Sequence, residues 1–196
     1  MKNNFGNNEV KLIRLCKKGD EKAQYQLYRS YSMAMYNIAI RMTGEKETAE
    51  DVIQDSFIKA FKELQQLNDE KAFGGWLKRI VINRCIDEVR KKKFMLSSFD
   101  TISEKHIEIT EEVNENIDAE LVHHLIKKLP VGAREILVLR ALEGYRYVEI
   151  ANKLNISEST AKTQFFRAKK LLGEMIKEMN YEDGYRKIPD EKSVEA

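Results

Sequence analysis

Apolar residues recur at helical spacing, three and four residues apart, along most of the chain. In the first half this pattern predicts four helices, over about residues 8–18, 21–42, 46–66 and 72–93. Turn-forming residues stand at the breaks between them, which are Gly19-Asp20, Thr43-Gly44 and Asn68-Asp69. The chain has only two Pro and nine Gly, and 34% of its residues are charged. We therefore predict an all-α fold rather than a β-rich or disordered protein.

The periodicity is lost over residues 94–117, where Ser, Thr and acidic residues predict an extended acidic linker. Helical spacing then continues to Asn180, with Pro130 where proline can begin a helix and Gly144 where a helix ends. The sequence thus predicts two small helical domains and a charged tail, over residues 1–93, 118–180 and 181–196 respectively. Domains of this size lie near the lower limit for independent stability, so we expect them to depend on partners.

Charge is segregated along the chain although the formal net charge is only +2. Residues 76–93 hold seven cations and two carboxylates, and residues 145–172 hold six cations and two carboxylates. Residues 100–120, between them, hold eight carboxylates and one lysine. Affinity for nucleic acid depends on such local charge, and two basic segments here flank an acidic connector.

Residues 145–172 have the pattern of a DNA-reading helix-turn-helix, in which two short helices are joined by a tight turn. In the second helix the apolar residues Ala161, Phe165, Ala168 and Leu172 share one side. The opposite side carries the candidate DNA-binding residues Ser159, Lys162, Thr163, Phe166, Arg167 and Lys170. An outward phenylalanine among cations suits a thymine methyl group in the major groove, although Phe166 could instead pack on an adjoining domain.

A second basic helix is predicted over residues 76–93. Its apolar side carries Leu77, Val81, Ile82, Cys85, Ile86 and Val89. Its polar side carries Arg79, Asn83, Arg84, Asp87, Arg90 and Lys91. The amide of Asn83 can donate and accept hydrogen bonds at a base edge, whereas arginine and lysine mainly contact phosphates. The alternative is a solvated surface without a ligand.

Two aromatic residues, Phe73 and Trp76, lie near the end of the loop that is predicted before this basic helix. Aromatic rings beside cations can stack on unpaired bases, as in proteins that hold single strands. Packing in the core is the alternative for both rings.

The segment 51–62, if helical, buries Ile53, Phe57, Ala60 and Phe61. Its outer side then carries Asp51, Gln54, Asp55, Ile58, Lys59 and Lys62. An apolar residue inside a polar rim suits a protein-protein contact. One exposed isoleucine is also ordinary on any protein surface.

Little in the chain indicates catalysis, since no glycine-rich phosphate loop precedes a helix. His123 and His124 point to different helix faces, so we expect no shared metal ion. Cys16 and Cys85 lie on apolar helix faces without CxxC spacing, which predicts buried free thiols in a reducing compartment. The sequence contains no signal peptide and no apolar run of membrane-spanning length. We therefore predict a cytoplasmic protein that is not an enzyme, needs no cofactor or metal and does not insert into a membrane.

Together these motifs resemble the extracytoplasmic-function sigma factors of bacterial RNA polymerase, over about residues 20–175. The first part is AEDVIQDSFIKAFK followed by the pattern FxxWLxRIxxNxxxDxxR, here Phe73, Trp76, Leu77, Arg79, Ile80, Asn83, Asp87 and Arg90. The second part is LPVGAREILVLRALEGYRYVEIANKLNISESTAKTQFFRAKKLL. Helix-turn-helix segments alone are common, but both parts in this order across an acidic linker are specific.

The resemblance implies a sigma-two domain, which docks on core RNA polymerase and captures the melted minus-ten element. It also implies a sigma-four domain, which reads the duplex minus-thirty-five element of promoter DNA. By motif position, the polymerase-binding residues are Asp51, Gln54, Asp55 and Ile58. The residues at the minus-ten element are Phe73, Arg79, Asn83, Arg84 and Arg90. The residues at the minus-thirty-five element are Ser159, Lys162, Thr163, Phe166, Arg167 and Lys170.

The resemblance further implies an inhibitory anti-sigma factor, and we expect a monomer when the protein is free of partners. The pair Gly74-Gly75 departs from the family, in which bulkier residues are frequent, and indicates a more mobile or differently shaped base-capturing loop. Two rival functions make different predictions. A stand-alone helix-turn-helix regulator would be a stable dimer, for which the chain offers no spare apolar helix. A nuclease that uses the acidic residues of 45–55 would cleave DNA only with divalent cations.

Overall fold

The computed structural model describes the backbone of residues 3–97 and 119–186, and the side chains of residues 8–92 and 121–179. Every regular element within these ranges is helical, which confirms the predicted all-α fold. The chain divides into two structural units, one within Met1–Ser103 and the other within Glu104–Ala196.

The described part of the first unit contains the α-helices α1 (Asn3–Lys17), α2 (Glu21–Thr43), α3 (Lys46–Glu63) and α4 (Phe73–Ser97). Local signals define the ends of α2. The Asp20 side chain accepts a hydrogen bond from the Ala23 N–H at 2.9 Å and so caps the first turn. Gly44 ends the helix in the left-handed region, with φ of 79°, and its N–H donates to the Ile40 carbonyl.

Helices α2, α3 and α4 pack against one another, and α1 packs against α2. The core of this unit includes the fully buried side chains of Leu27, Met42, Val52, Leu77, Ile82 and Phe73. Burial of one large apolar side chain contributes about 1.5–3 kcal/mol, so this shared core is what holds the polar faces of the helices in place. Cys16 and Cys85 are buried free thiols, as predicted.

The described part of the second unit contains α5 (Ala119–Lys128), α6 (Val131–Leu137), α7 (Tyr147–Leu154) and α8 (Glu158–Arg186). A π-helical turn, Val138–Leu142, follows α6, and the Glu143 N–H donates to the Val138 carbonyl five residues back. Helices α5, α6 and α7 each pack on α8. The buried core includes Leu125, Ile126, Leu139, Ile150, Ala161 and Ala168.

The helix-turn-helix predicted within residues 145–172 is confirmed as α7, a turn and the first half of α8. Asn155 ends α7 in the left-handed region, with φ of 56°. The Ser157 hydroxyl accepts a hydrogen bond from the Thr160 N–H at 3.0 Å and caps the start of α8. Pro130 stands immediately before α6, at the helix start that its position predicts.

Three predicted boundaries need correction. Helix α3 ends at Glu63, and the short Leu64–Gln66 segment is a 3-10 turn. Helices α4 and α8 continue to Ser97 and Arg186, into the segments predicted as linker and tail. Once a packed helix exists, each further residue adds one backbone hydrogen bond, so the loss of apolar periodicity does not by itself end it. The rest of the predicted linker and tail lies outside the described residues.

Candidate nucleic-acid interface

The polar face of α4 lies at the surface, as its helical spacing predicts. Arg79, Asn83 and Arg90 are exposed, and so are Asp87 and Lys91 beside them. The opposite face is buried and includes Leu77, Val81, Ile82, Cys85, Ile86 and Val89. Helix α4 thus presents cations and one amide on a surface that its buried face holds rigidly against α2 and α3.

Arg84 differs from its neighbours because two carboxylates hold its guanidinium. Arg84 Nη2 lies 2.8 Å from Asp55 Oδ2 on α3 and 2.7 Å from Glu88 Oε1 one turn further along α4. Arg84 Nε also donates to Asp55 Oδ2, at 3.2 Å. Partial burial acts to lower the pKa of Arg84, but the Asp55 hydrogen bond and the Glu88 charge raise it overall. The sequence assigned Asp55 and Arg84 to different tasks, and the structure joins them in one ion pair.

Phe73 is buried, which favours packing in the core over stacking on a base. Its exposure is 0%, the Tyr31 ring packs edge-on against it at 5.3 Å, and the Trp76 ring lies 6.0 Å away. Phe73 begins α4 one turn before the buried Leu77, so the helix directs both side chains to the core. Trp76 is half-buried beside it.

The glycine pair lies in the first turn of α4 and not in the loop in which it was predicted. A Cβ atom on Gly74 would lie 3.0 Å from Cε1 and 3.1 Å from Oη of Tyr31, whereas a Cβ on Gly75 would have nothing within 4 Å. The Tyr31 hydroxyl donates to Glu9 on α1, and burial, followed by Glu9, raises the pKa of Tyr31. Gly74 therefore makes room for a tyrosine that α1 and Phe73 hold in place.

The four candidate polymerase-binding residues are all exposed on α3, namely Asp51, Gln54, Asp55 and Ile58. Gln54 and Ile58 also line an open groove of about 740 Å³ between α2 and α3. Tyr28 and Met33 of α2 line the same groove and are 41% and 70% exposed. Sequence reasoning missed these two residues because their periodicity on α2 gives no sign of a groove shared with α3.

The predicted DNA-reading face of α8 also lies at the surface. Ser159, Lys162, Thr163 and Phe166 are exposed, with half of the Phe166 side chain accessible, while Arg167 is half-buried. Lys170 departs from the prediction, because its side chain is only 17% exposed and its Nζ lies 3.8 Å from Glu174. On the opposite side Ala161 and Ala168 are buried, whereas Phe165 and Leu172 are half-buried.

Aromatic rings support the cations of this face. The Phe165 ring lies 6.0 Å from the Phe166 ring and 5.9 Å from the Tyr147 ring of α7. The Arg140 guanidinium lies 4.8 Å from the centre of Tyr147, and Lys162 Nζ lies 5.9 Å from it. A ring attracts cations to its face, so Tyr147 gathers two positive charges beside the start of α8. Arg140 and Tyr147 are not among the residues predicted from the sequence, although both lie within the helix-turn-helix segment or just before it.

The described residues contain no cluster of three or more His, Cys, Asp or Glu side chains that could hold a metal ion. No helix among them is long and apolar enough to cross a membrane.

Comparisons with known proteins identify the family. The family model described as "Sigma-70 region 2" matches residues 27–94, and the one described as "Sigma-70, region 4" matches residues 119–172. The ECF RNA polymerase sigma factor SigM of Bacillus subtilis (strain 168) is 30% identical over 149 residues, which cover 75% of this chain and 91% of that protein. This chain belongs to the ECF RNA polymerase sigma factors. It therefore acts with RNA polymerase in promoter-specific transcription initiation.

A second relative agrees with this assignment, and one solved structure has the same fold. The sigma factor SigW of the same Bacillus subtilis strain is 29% identical over 181 residues, which cover 86% of this chain and 97% of that protein. The solved structure of the sigma factor RpoE with the anti-sigma factor NepR, from Bartonella quintana, has a TM-score of 0.51 and 22% identity. It covers 78% of this chain and 96% of that chain, and it shows the same fold.

In this sigma factor α1 lies before the region 2 match and anchors the loop between α3 and α4. Lys17 Nζ donates to the Leu67 carbonyl at 2.7 Å and to Glu70 at 3.2 Å. The Lys17 ammonium, through this hydrogen bond, lowers the pKa of Glu70. This anchor could not be predicted from the sequence, because contacts fifty residues apart leave no local signal.

Proposed function

We propose that the first unit performs both tasks of a sigma-two domain. Its α3 surface, with Asp51, Gln54 and Ile58, docks on core RNA polymerase, and the exposed face of α4 binds the melted minus-ten element. The groove between α2 and α3 supports docking, because exposed apolar side chains such as Met33 and Ile58 line it together with the polar side chain of Gln54. The exposed amide of Asn83 between Arg79 and Arg90 supports base reading beside phosphate contacts.

We propose that the second unit is the sigma-four domain and reads the duplex minus-thirty-five element through α8. The observation that carries this proposal is the exposed Phe166, half accessible among Lys162, Thr163 and Arg167 on a helix whose other side is the core. Such a ring can contact a thymine methyl group, while the cations hold phosphates on either side. The acidic segment would then join the two domains. The chain would make no covalent chemistry of its own and would work where RNA polymerase works, in the cytoplasm.

Two weak DNA contacts give strong promoter selection only when their spacing is fixed. Tethering raises the effective concentration of the second contact, and core polymerase would supply the correct separation. We therefore expect the free protein to be a monomer that protects promoter DNA poorly, and the holoenzyme to protect both elements. An anti-sigma factor that covers the docking groove would keep the protein inactive, as the partner named in the Bartonella quintana complex suggests.

To test the role of the second unit, each thymine of the minus-thirty-five element is replaced in turn by deoxyuridine, which lacks the methyl group. With holoenzyme, Phe166→Ala should weaken promoter binding about five- to thirtyfold, and one uracil position should weaken wild-type binding but not that of the variant. Phe166→Leu, which keeps an apolar side chain, is the matched control and should lose less. If every uracil substitution acts equally on wild type and variant, Phe166 does not contact a thymine methyl group.

The test of the overall role adds the purified protein to core polymerase and measures promoter-specific transcripts. The proposal would be supported by promoter-specific transcripts in the presence of core polymerase, together with the mass of a monomer for the free protein in light scattering. A stable dimer that protects a promoter strongly without polymerase would instead show a stand-alone regulator.

A further inference from the structure

Arg84 lies between the two surfaces to which the proposed function gives separate tasks. Helix α3 carries the docking side chains and α4 carries the base-reading side chains. One guanidinium on α4 joins them, since Arg84 Nη2 is 2.8 Å from Asp55 on α3 and 2.7 Å from Glu88 on α4.

The charges around Arg84 make it a poor ligand for DNA. One guanidinium and two carboxylates sum to a net charge of −1, so an approaching phosphate would meet a negative group. The Arg84 side chain is 35% exposed and that of Glu88 is 16% exposed, which shields the pair partly from water. A phosphate contact would have to replace charge-assisted hydrogen bonds that already exist.

The same contacts make Arg84 well suited to orient α4. Arg84 follows Asn83 directly, so a shift of the Arg84 backbone moves the Asn83 amide with it. A guanidinium that donates from both Nε and Nη2 to one carboxylate limits rotation of α4 about its own axis. Base recognition tolerates an error of only about 0.5 Å or 10–20° in the placement of such a side chain.

We propose that Arg84 is a positioning residue and not a DNA ligand. It ties the base-reading face of α4 to the docking helix α3 through Asp55, so that polymerase docking fixes the geometry with which Asn83 meets the minus-ten bases. This proposal rests on the proposed function of the first unit.

The experiment measures the Kd of promoter DNA for holoenzyme assembled with saturating core polymerase, over a series of salt concentrations. The test variants are Arg84→Gln, Asp55→Asn and their combination. Lys91→Gln removes an exposed cation from the same face of α4, and Glu47→Gln removes an exposed carboxylate from α3. The Tm and the affinity for core polymerase are measured for each variant. The Kd for promoter DNA is measured at a temperature well below the lowest Tm.

We expect Arg84→Gln to raise the Kd about tenfold without changing the slope of log Kd against log salt. Asp55→Asn should raise the Kd by a similar factor, although removing a carboxylate near DNA would otherwise tighten binding. The double variant should be no weaker than either single variant, because both remove the same contact. Lys91→Gln should reduce the salt slope by about one phosphate contact, and Glu47→Gln should match wild type.

Four results would overturn the proposal. A salt slope for Arg84→Gln reduced as far as that of Lys91→Gln would make Arg84 a phosphate ligand. A lowered Tm with an unchanged Kd would show that Arg84 stabilises the fold and does not position the base-reading face. Tighter DNA binding by Asp55→Asn would show that Arg84 and Asp55 do not act together. Additive losses of DNA affinity in the double variant would show the same. Wild-type holoenzyme that does not select the promoter would refute the proposed function itself, which separates the two failures.

Discussion

Adding one methyl group at Gly74 or at Gly75 should affect the first unit in opposite directions. Both glycines lie in the first turn of α4, so replacement by alanine brings a similar gain in helix propensity at each. Their surroundings differ, because the new Cβ at 74 would lie 3.0 Å from the Tyr31 ring, while the new Cβ at 75 would meet nothing within 4 Å. The pair of variants therefore isolates the cost of crowding Tyr31.

The magnitudes follow from these two terms. The gain in helix propensity on replacing glycine by alanine stabilises the unit by at most about 1 kcal/mol and is nearly the same in both variants. Crowding of a packed site costs about 1–3 kcal/mol. Tyr31 cannot swing away freely, because its hydroxyl is bonded to Glu9 and its ring packs edge-on against Phe73. We expect Gly75→Ala to be more stable than wild type by up to about 1 kcal/mol, and Gly74→Ala to be about 1–3 kcal/mol less stable than Gly75→Ala.

Urea denaturation followed by tryptophan fluorescence measures this difference selectively. Trp76 is the single tryptophan of the chain, so its signal reports the first unit. A control combines Gly74→Ala with Tyr31→Leu, which should remove most of the difference because the crowded ring is gone. If Gly74→Ala and Gly75→Ala are equally stable, the contact between Tyr31 and Gly74 does not constrain the fold.

Three further predictions test other contacts. Ser157→Ala should destabilise the second unit by about 1 kcal/mol, because the Thr160 N–H loses the hydrogen bond that caps α8. Ser157→Asp keeps an acceptor at this position and should not destabilise the unit. Calorimetry measures the stability of both variants. Burial raises the pKa of Cys16 from 9.0 to about 11, so its thiol should react slowly with disulfide reagents, and stability should fall as the pH rises from 9 toward 11 in denaturant titrations. The Lys17 hydrogen bond lowers the pKa of Glu70 below 4.5, so the stability it contributes is present at neutral pH and lost on acidification below 4.5. Lys17→Met should flatten that acid limb, and an unchanged limb would show that the contact is not maintained in solution.

The exposed faces of the two basic helices could be predicted from sequence because a helix sorts its residues by a fixed period. The spacing that buries Leu77 and Cys85 places Asn83 outside, and the spacing that buries Ala161 and Ala168 places Phe166 outside. Each helix has a clear apolar stripe, so the sequence alone indicates which of its sides faces the core.

Contacts between helices could not be predicted, since they depend on how two elements are set against each other. Nothing near Arg84 in the sequence indicates Asp55, which lies on another helix twenty-nine residues earlier. Phe73 lies where the loop gives way to α4, and only the structure shows that the helix includes it, one turn before Leu77, and that the Tyr31 ring of α2 packs against it. The crowding at Gly74 could not be predicted for the same reason, because its neighbour Tyr31 is distant in sequence.

The π-helical turn at Val138–Leu142 marks a place where the second unit tolerates a change in chain length. Such a turn holds one residue more than an α-helical turn, so a deletion there is absorbed by conversion to ordinary α-helix. A deletion within α7 instead rotates every later position by about 100° and would carry the buried Ile150 or Ala151 toward solvent. A variant that lacks one residue of this turn should therefore keep the arrangement of α7 and α8.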